Sequence, residues 1–193
     1  MSGLGHNRGP AMDEGRRWRR HCWQKARHAL LPQLPIEVVR LRVARARAIG
    51  LDYRRYATVR ATTGRDIVAF LFSTNALRLM HATAALPADR AARLAALQDV
   101  SPRLAAYAPL DPAAMAAQLA AQGIGFDAAI RAPTSIDTPA GTRAALLAAL
   151  APGKLPRDGL LVVGDTALEA RWPATAGLAG YVPAAAYFAA DPR

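Results

Sequence analysis

Two short stretches hold the side chains whose types and spacing suit chemistry. Ser73, Thr74 and Asn75 follow the apolar run Ile67 to Phe72. Asp165 and Thr166 follow the run Leu160 to Val163, with Glu169 four residues beyond Asp165. A strand that ends on small polar residues and passes into a helix offers free backbone N–H groups, which favour phosphate or another anion. In the other reading Ser73 or Thr74 only caps that helix. A serine nucleophile would need a general base within reach. The one histidine of residues 66–193 is His81, expected in a helix beyond the first strand as a surface or packing residue. No Cys/His cluster has zinc spacing. Gly3-Leu4-Gly5 and Gly123-Ile124-Gly125 lack the longer glycine patterns of nucleotide loops.

A second set of residues carries charge. Of 25 Lys and Arg, fifteen lie in residues 1–65 against four acids, while residues 66–193 carry ten of each. The whole excess of +11 therefore sits in the first third. Alanine, arginine and proline richness fits a GC-rich coding bias, which explains arginine over lysine but not the placement of the surplus. A localised surplus points to a polyanionic partner, nucleic acid or an acidic protein. The candidate contacts are Arg16, Arg17, Arg20, Lys25 and Arg27, together with Arg54 and Arg60 further along.

These residues need elements to position them. Residues 1–12 are Gly-rich and aperiodic and read as a flexible arm. A basic helical segment follows over residues 13–65. Its first helix, Asp13 to Leu31, is amphipathic, with Trp18, Cys22, Trp23, Ala26, Ala29 and Leu30 on one side and most of its cations on the other. Such a helix suits nucleic acid, an anionic membrane surface or its own domain. A second helix spans Ile36 to Ile49 and closes at Gly50, with two apolar arcs that suit two neighbours. A third runs from Asp52 as N-cap to about Thr62, with Gly64 as its stop. Ala46, Ile49, Gly50, Leu51, Tyr56 and Val59 resemble the spacing of a helix-turn-helix, which would put Tyr53, Arg54, Thr58 and Arg60 on or near a DNA-facing surface. Arg45 stands where that motif wants an apolar residue.

From residue 66 the chain reads as α/β. Apolar runs at Ile67 to Phe72, Leu104 to Ala108, Phe126 to Ile130 and Leu160 to Val163 alternate with helical stretches at Asp89 to Leu97, Asp111 to Gln122 and Ala140 to Leu150. That alternation predicts a parallel, Rossmann-like sheet with helices on both faces, the first and last runs taking central positions.

The order of pieces over residues 66–188 resembles the haloacid dehalogenase-like (HAD) phosphatase fold. The resemblance is carried by Gly125-Phe126-Asp127-Ala128-Ala129-Ile130, by Asp137-Thr138-Pro139 with the helix after it, and by Leu160-Leu161-Val162-Val163-Gly164-Asp165-Thr166 with Glu169 and Ala176-Gly177-Leu178 beyond. It implies a first strand ending in Asp-x-Asp, whose first carboxylate attacks phosphorus. This chain has Ser73 and Asn75 there. The expected Ser or Thr after the second strand is replaced by Ala108-Pro109. Thr138 stands where a Lys-Pro would begin, and neither Arg143 nor Lys154 has the spacing to substitute. Asp165, supported by Glu169, keeps the expected chemistry. Magnesium, which the resemblance would place between the first and fourth motifs, is left with one Asp and an amide.

The expectation is a non-catalytic binding protein, a pseudoenzyme on a HAD-like domain of residues 66–193, whose basic helices contact nucleic acid or an acidic partner. One alternative is a hydrolase of phosphorylated small molecules with a rearranged site. Another is an adaptor that uses helix 13–31 on a protein or membrane surface. No apolar run reaches the ~18 residues of a membrane span. The lack of a signal peptide and the single Cys22 suggest the cytoplasm.

Overall fold

The computed structural model describes Trp18, Cys22 and residues 34–189. The chain forms two compact units, residues 1–39 and 40–193. In the first, Trp18 and Cys22 are helical and exposed. The arm, the remainder of helix 13–31, and with them Arg16, Arg17, Arg20, Lys25 and Arg27, lie outside the described residues.

The second unit is α/β. Five strands, β1 (Ala69–Ser73), β2 (Ser101–Ala106), β3 (Ala128–Arg131), β4 (Leu160–Gly164) and β5 (Gly180–Pro183), form one sheet in the order β3-β2-β1-β4-β5. Every pairing is parallel. Strands β1 and β4, the two richest in apolar residues, are buried along their whole length at the middle of the sheet. Strand β5 has no counterpart among the expected runs. Gly180-Tyr181-Val182-Pro183 is too short, and too rich in Gly and Pro, to read as a strand.

Alternation along the strands sorts the core onto two faces. Phe70, Phe72, Leu104, Leu161 and Val163 point one way. They meet residues of α1 (Ile36–Ala48), α2 (Tyr53–Thr63), α3 (Ala88–Ala95), α4 (Pro112–Ala121) and a short α7 (Ala184–Tyr187). Ala69, Leu71, Ala105, Leu160 and Val162 point the other way, against α5 (Pro139–Ala148) and α6 (Trp172–Ala176). On the first face the Tyr187 ring packs 5.3 Å from Phe70, 5.6 Å from Phe72 and 5.0 Å from Phe188, two of these contacts edge-to-face. Such pairs add to what burial alone contributes.

Residues 40–65, set apart from the α/β domain in the sequence reading, share its core. Ala46, Ile49, Leu51 and Tyr56 are buried in the same cluster as Phe72 and Val163. Arg45, the charge out of place in the helix-turn-helix pattern, ties this region to the sheet. Its Nε donates to Asp66 Oδ2 at 3.1 Å, and its Nη2 donates to the carbonyls of Ile67 and Asp99 at 3.0 and 2.9 Å. Tyr56 Oη donates to Asp66 Oδ1 at 2.8 Å. Of the two apolar arcs expected to pack, the one holding Leu41 stays open, with that side chain 72% exposed.

The ends of several helices follow the sequence. Asp52 caps α2 by accepting from Arg55 N at 2.9 Å, and Gly64 ends it at φ 72°. Asp111 caps α4 and Thr138 caps α5, each followed by proline. One expectation fails. No helix begins at Ser73: residues 74–78 form tight turns, with Arg78 at φ 57°, and the next helix is α3. His81 lies in a bend of that connection, exposed, and not in a helix.

Candidate functional site

The carboxyl ends of β1 and β4 lie side by side, with Phe72 opposite Val163. In the order β3-β2-β1-β4-β5 the connections leave to opposite sides of this pair, so the crevice there is the natural ligand position of an open parallel sheet. Ser73, Thr74, Asn75, Asp165 and Thr166 all stand at its rim.

Their side chains are engaged in different ways. Ser73 and Thr74 are buried. Ser73 Oγ accepts from Ala76 N at 3.0 Å, which closes the first turn after β1. Thr74 Oγ1 accepts from Tyr107 N at 3.2 Å and so ties β1 to the end of β2. Both hydroxyls therefore hold backbone, but neither caps a helix, because residues 74–78 form turns and the next helix is α3. The backbone N–H groups of Thr74, Leu77, Arg78 and Leu79 also find carbonyls within the protein.

The organising residue is Glu169, fully buried in a 3-10 turn over Glu169–Arg171. Its Oε2 accepts from Asp165 N at 2.6 Å and from Thr166 N at 2.8 Å, and its Oε1 accepts from Asn75 Nδ2 at 3.1 Å. In return its own N–H donates to Thr166 Oγ1 at 3.2 Å. The carboxylate thus caps the turn that leaves β4 and bridges to the turn that leaves β1. Gly164 makes room for it. A Cβ there would come within 2.7 Å of Glu169 Oε2 and 2.8 Å of Tyr181 Cε2.

Around this clamp lie groups that the sequence reading did not single out. Tyr107 Oη is buried and meets no partner at hydrogen-bonding geometry. Burial, and then the neighbouring Glu169 carboxylate, push its ionisation well above the usual range for a phenol. The Trp172 ring stacks on Tyr107 at 6.2 Å, and its Nε1–H is likewise buried without an acceptor. Tyr181 is raised by burial, with smaller contributions from Glu169 and Asp165. Arg90 is also buried. Its Nε donates to Ala76 O at 2.8 Å, and its guanidinium lies 4.8 Å from the centre of the Phe188 ring. Burial, and then Arg78, lower its affinity for the proton, while Asp89 and Asp165 oppose this.

Magnesium does not fit these residues. Asp165 is exposed, Asn75 presents its amide N–H₂ to Glu169, and both oxygens of Glu169 already accept hydrogen bonds. Among the described residues no three of His, Cys, Asp and Glu converge as ligands would. A hard cation replaces its hydration shell only where several free oxygens face one point.

The two described residues expected to touch a partner part company. Arg54 is exposed on α2 and pairs with no acid among the described residues. Arg60 turns inward, with Nη1 3.7 Å from Asp66 Oδ1. Tyr53, placed near a DNA-facing surface in the sequence reading, packs against the core, and Thr58 is exposed beside Arg54. Nothing in the sequence separates Arg54 from Arg60 until Asp66 is known to lie under α2. Glu169 was visible as an acid four residues past Asp165, a spacing that suits turn capping as well as chemistry. No helix among the described residues is long and apolar enough to cross a membrane. No protein-family model matches the chain, and neither does any curated protein or solved structure.

Proposed function

We propose that the chain is a non-catalytic binding protein, in which a haloacid dehalogenase-like scaffold without hydrolytic chemistry carries a basic surface for a polyanion, nucleic acid in the first place. The observation that carries this reading is the state of Glu169. Both oxygens of the buried acid beside Asp165 are engaged, by two backbone N–H groups and the Asn75 amide. Among the described residues Asp165 is then the one carboxylate beside β1 and β4 with no hydrogen bond, and the first strand supplies a serine and an amide where an aspartate nucleophile would stand. A serine with its hydroxyl bound to Ala76 N and no base beside it does not replace that group. The fold reading is supported by the sheet order, with β1 central and the strand before Asp165 next to it. The binding reading is supported by the +11 balance of residues 1–65.

The test is fluorescence anisotropy of the full chain with single- and double-stranded oligonucleotides across a salt series. Five arginine–phosphate contacts give a log–log slope of about −4.5, a loss of roughly 500-fold in affinity between 50 and 200 mM salt. An affinity that ignores salt, or no binding to either form, sinks the reading. Binding to an acidic polypeptide in place of nucleic acid would keep the basic surface and change its partner. Turnover of a phosphate monoester that disappears in Asp165→Ala would restore the hydrolase.

A further inference from the structure

α2 and β5 line an open cleft of about 400 Å³, bordered also by Tyr181, which lies near Glu169. Its wall includes Asp52, Arg54, Arg55, Thr58, Val59 and Val182. The volume lies within the range that small organic ligands fill.

The charged groups of the wall are arranged, not scattered. Asp52 Oδ1 accepts from Arg55 N at 2.9 Å as the cap of α2, and its Oδ2 lies 3.0 Å from Arg55 Nη1. The same Nη1 donates to Ala186 O at 3.4 Å. One guanidinium nitrogen is therefore pinned from two sides, while Nε and Nη2 make no hydrogen bond among the described residues. A planar fork held in this way loses little freedom when it takes a bidentate acceptor. Arg54 adds a second guanidinium, which no acid among the described residues pairs. Two arginines against one aspartate leave a single net positive charge on the wall. Val59 and Val182 give an apolar flank next to it, and Thr58 Oγ1 donates to Arg54 O at 2.9 Å.

We infer that this cleft is a binding site for a small organic phosphate of about the size of a nucleoside monophosphate. Arg54 and Arg55 grip the phosphate, and Val59 and Val182 flank the body of the molecule. A free metabolite and the phosphorylated end of a nucleic acid strand share this chemistry. The fit of a whole small molecule to the volume favours the free form. The inference needs only α2 and β5, so it does not depend on the basic residues before residue 40.

The experiment is isothermal titration of the full chain with a nucleoside monophosphate, inorganic phosphate and a 5′-phosphorylated single-stranded oligonucleotide, repeated for Arg54→Ala, Arg55→Ala and Arg131→Ala. The expected result is saturable binding of the monophosphate, about tenfold or more tighter than inorganic phosphate because the flank contributes. Arg54→Ala and Arg55→Ala are each expected to weaken it tenfold or more, with no change in Arg131→Ala. Arg54 makes no ion pair among the described residues, so its variant is expected to keep the fold, and a matching thermal midpoint verifies this. Absence of saturable binding, or an Arg54→Ala affinity equal to wild type, overturns the inference. If the monophosphate binds and no nucleic acid does, the cleft stands and the polyanion reading falls. Oligonucleotide binding that is indifferent to Arg54→Ala, with no response to the monophosphate, has the opposite meaning.

Discussion

If Glu169 is a structural clamp, removing it must destabilise the protein, and by an amount that the geometry bounds. Its carboxylate takes three N–H donors at 2.6, 2.8 and 3.1 Å inside a fully buried environment. Hydrogen bonds to a charged group contribute about 1.5–3 kcal/mol each, and an orphaned buried donor costs about 1–3 kcal/mol. The three are not additive, because Asn75 can turn its amide to water and the turn can relax. Glu169→Ala is therefore expected to cost about 3–5 kcal/mol, which for a chain of this size lowers the melting midpoint by roughly 6–20 °C. Glu169→Gln keeps an oxygen for Asp165 N and Thr166 N, and Asn75 can flip to accept from the new amide. That variant is expected to cost only about 1–2 kcal/mol, the loss of charge assistance being offset in part by the relief of desolvating a carboxylate. The assay is urea unfolding followed by circular dichroism for wild type and both variants. An active-site acid behaves differently, since its removal commonly leaves stability unchanged or raises it. A Glu169→Ala variant within about 1 kcal/mol of wild type refutes the clamp, as does a Glu169→Gln loss as large as that of the alanine variant.

Three further outcomes follow from named contacts. Asn75→Asp sets a second carboxylate against Glu169, and like charges at that distance raise the apparent ionisation of the pair above that of free acids. An acid with a raised folded-state pKa destabilises at neutral pH and less so as protons bind. The urea midpoint of the variant should therefore approach that of wild type between pH 7 and pH 5, and a gap that widens on acidification contradicts the geometry. Tyr187 is buried, donates to Ile49 O at 3.2 Å, and has its ionisation pushed up by that burial. Above about pH 10 the unfolded chain releases this proton while the folded chain holds it, so stability falls by up to about 1.4 kcal/mol per pH unit. Tyr187→Phe should flatten the alkaline limb by that slope in unfolding curves taken from pH 9 to 11. Arg103 is 3% exposed, and of its three nitrogens only Nη2 finds an acceptor, Pro152 O at 2.9 Å. A buried cation satisfied so poorly is replaced without loss by an apolar side chain of similar length. Arg103→Met should unfold within about 1 kcal/mol of wild type or above it, and a loss beyond about 2 kcal/mol contradicts a poorly satisfied guanidinium.

The elements were legible in the sequence where local chemistry decides them. Asp52 and Gly64 bound α2, and Thr138-Pro139 starts α5, because caps and prolines act within a turn of themselves. The runs at β1 and β4 were legible because burial on both faces demands continuous apolar residues. Strand β5 was not, since its place is set by pairing with β4 and its own four residues have little preference for a strand. The turn after β1 was hidden for a similar reason. Ser73-Thr74-Asn75 caps a helix and closes a tight turn by the same hydrogen bond, and only the long-range contacts to Tyr107 N and Glu169 decide between them. At the site, the positions could be read from the order of pieces, but the roles could not. Which donors face the Glu169 carboxylate is a tertiary fact.

Contacts of the same tertiary kind bear on where the proposed affinity for a polyanion would reside. Several arginines of residues 40–65 are committed to carboxylates of the domain: Arg45 and Arg60 to Asp66, and Arg65 to Asp158. A cation with a carboxylate at 3–4 Å releases little when it meets a phosphate, because one ion pair is exchanged for another. Counting charge along the sequence therefore overstates what α1 and α2 offer. Arg54 pairs with no acid among the described residues, and seven of the fifteen cations of residues 1–65 precede Arg40 at the unit boundary: Arg8, Arg16, Arg17, Arg19, Arg20, Lys25 and Arg27. The acid side obeys the same logic in reverse. Freeing Glu169 for a cation would strip the caps from Asp165 N and Thr166 N, so the turn and a metal compete for one carboxylate. In this chain the turn holds it.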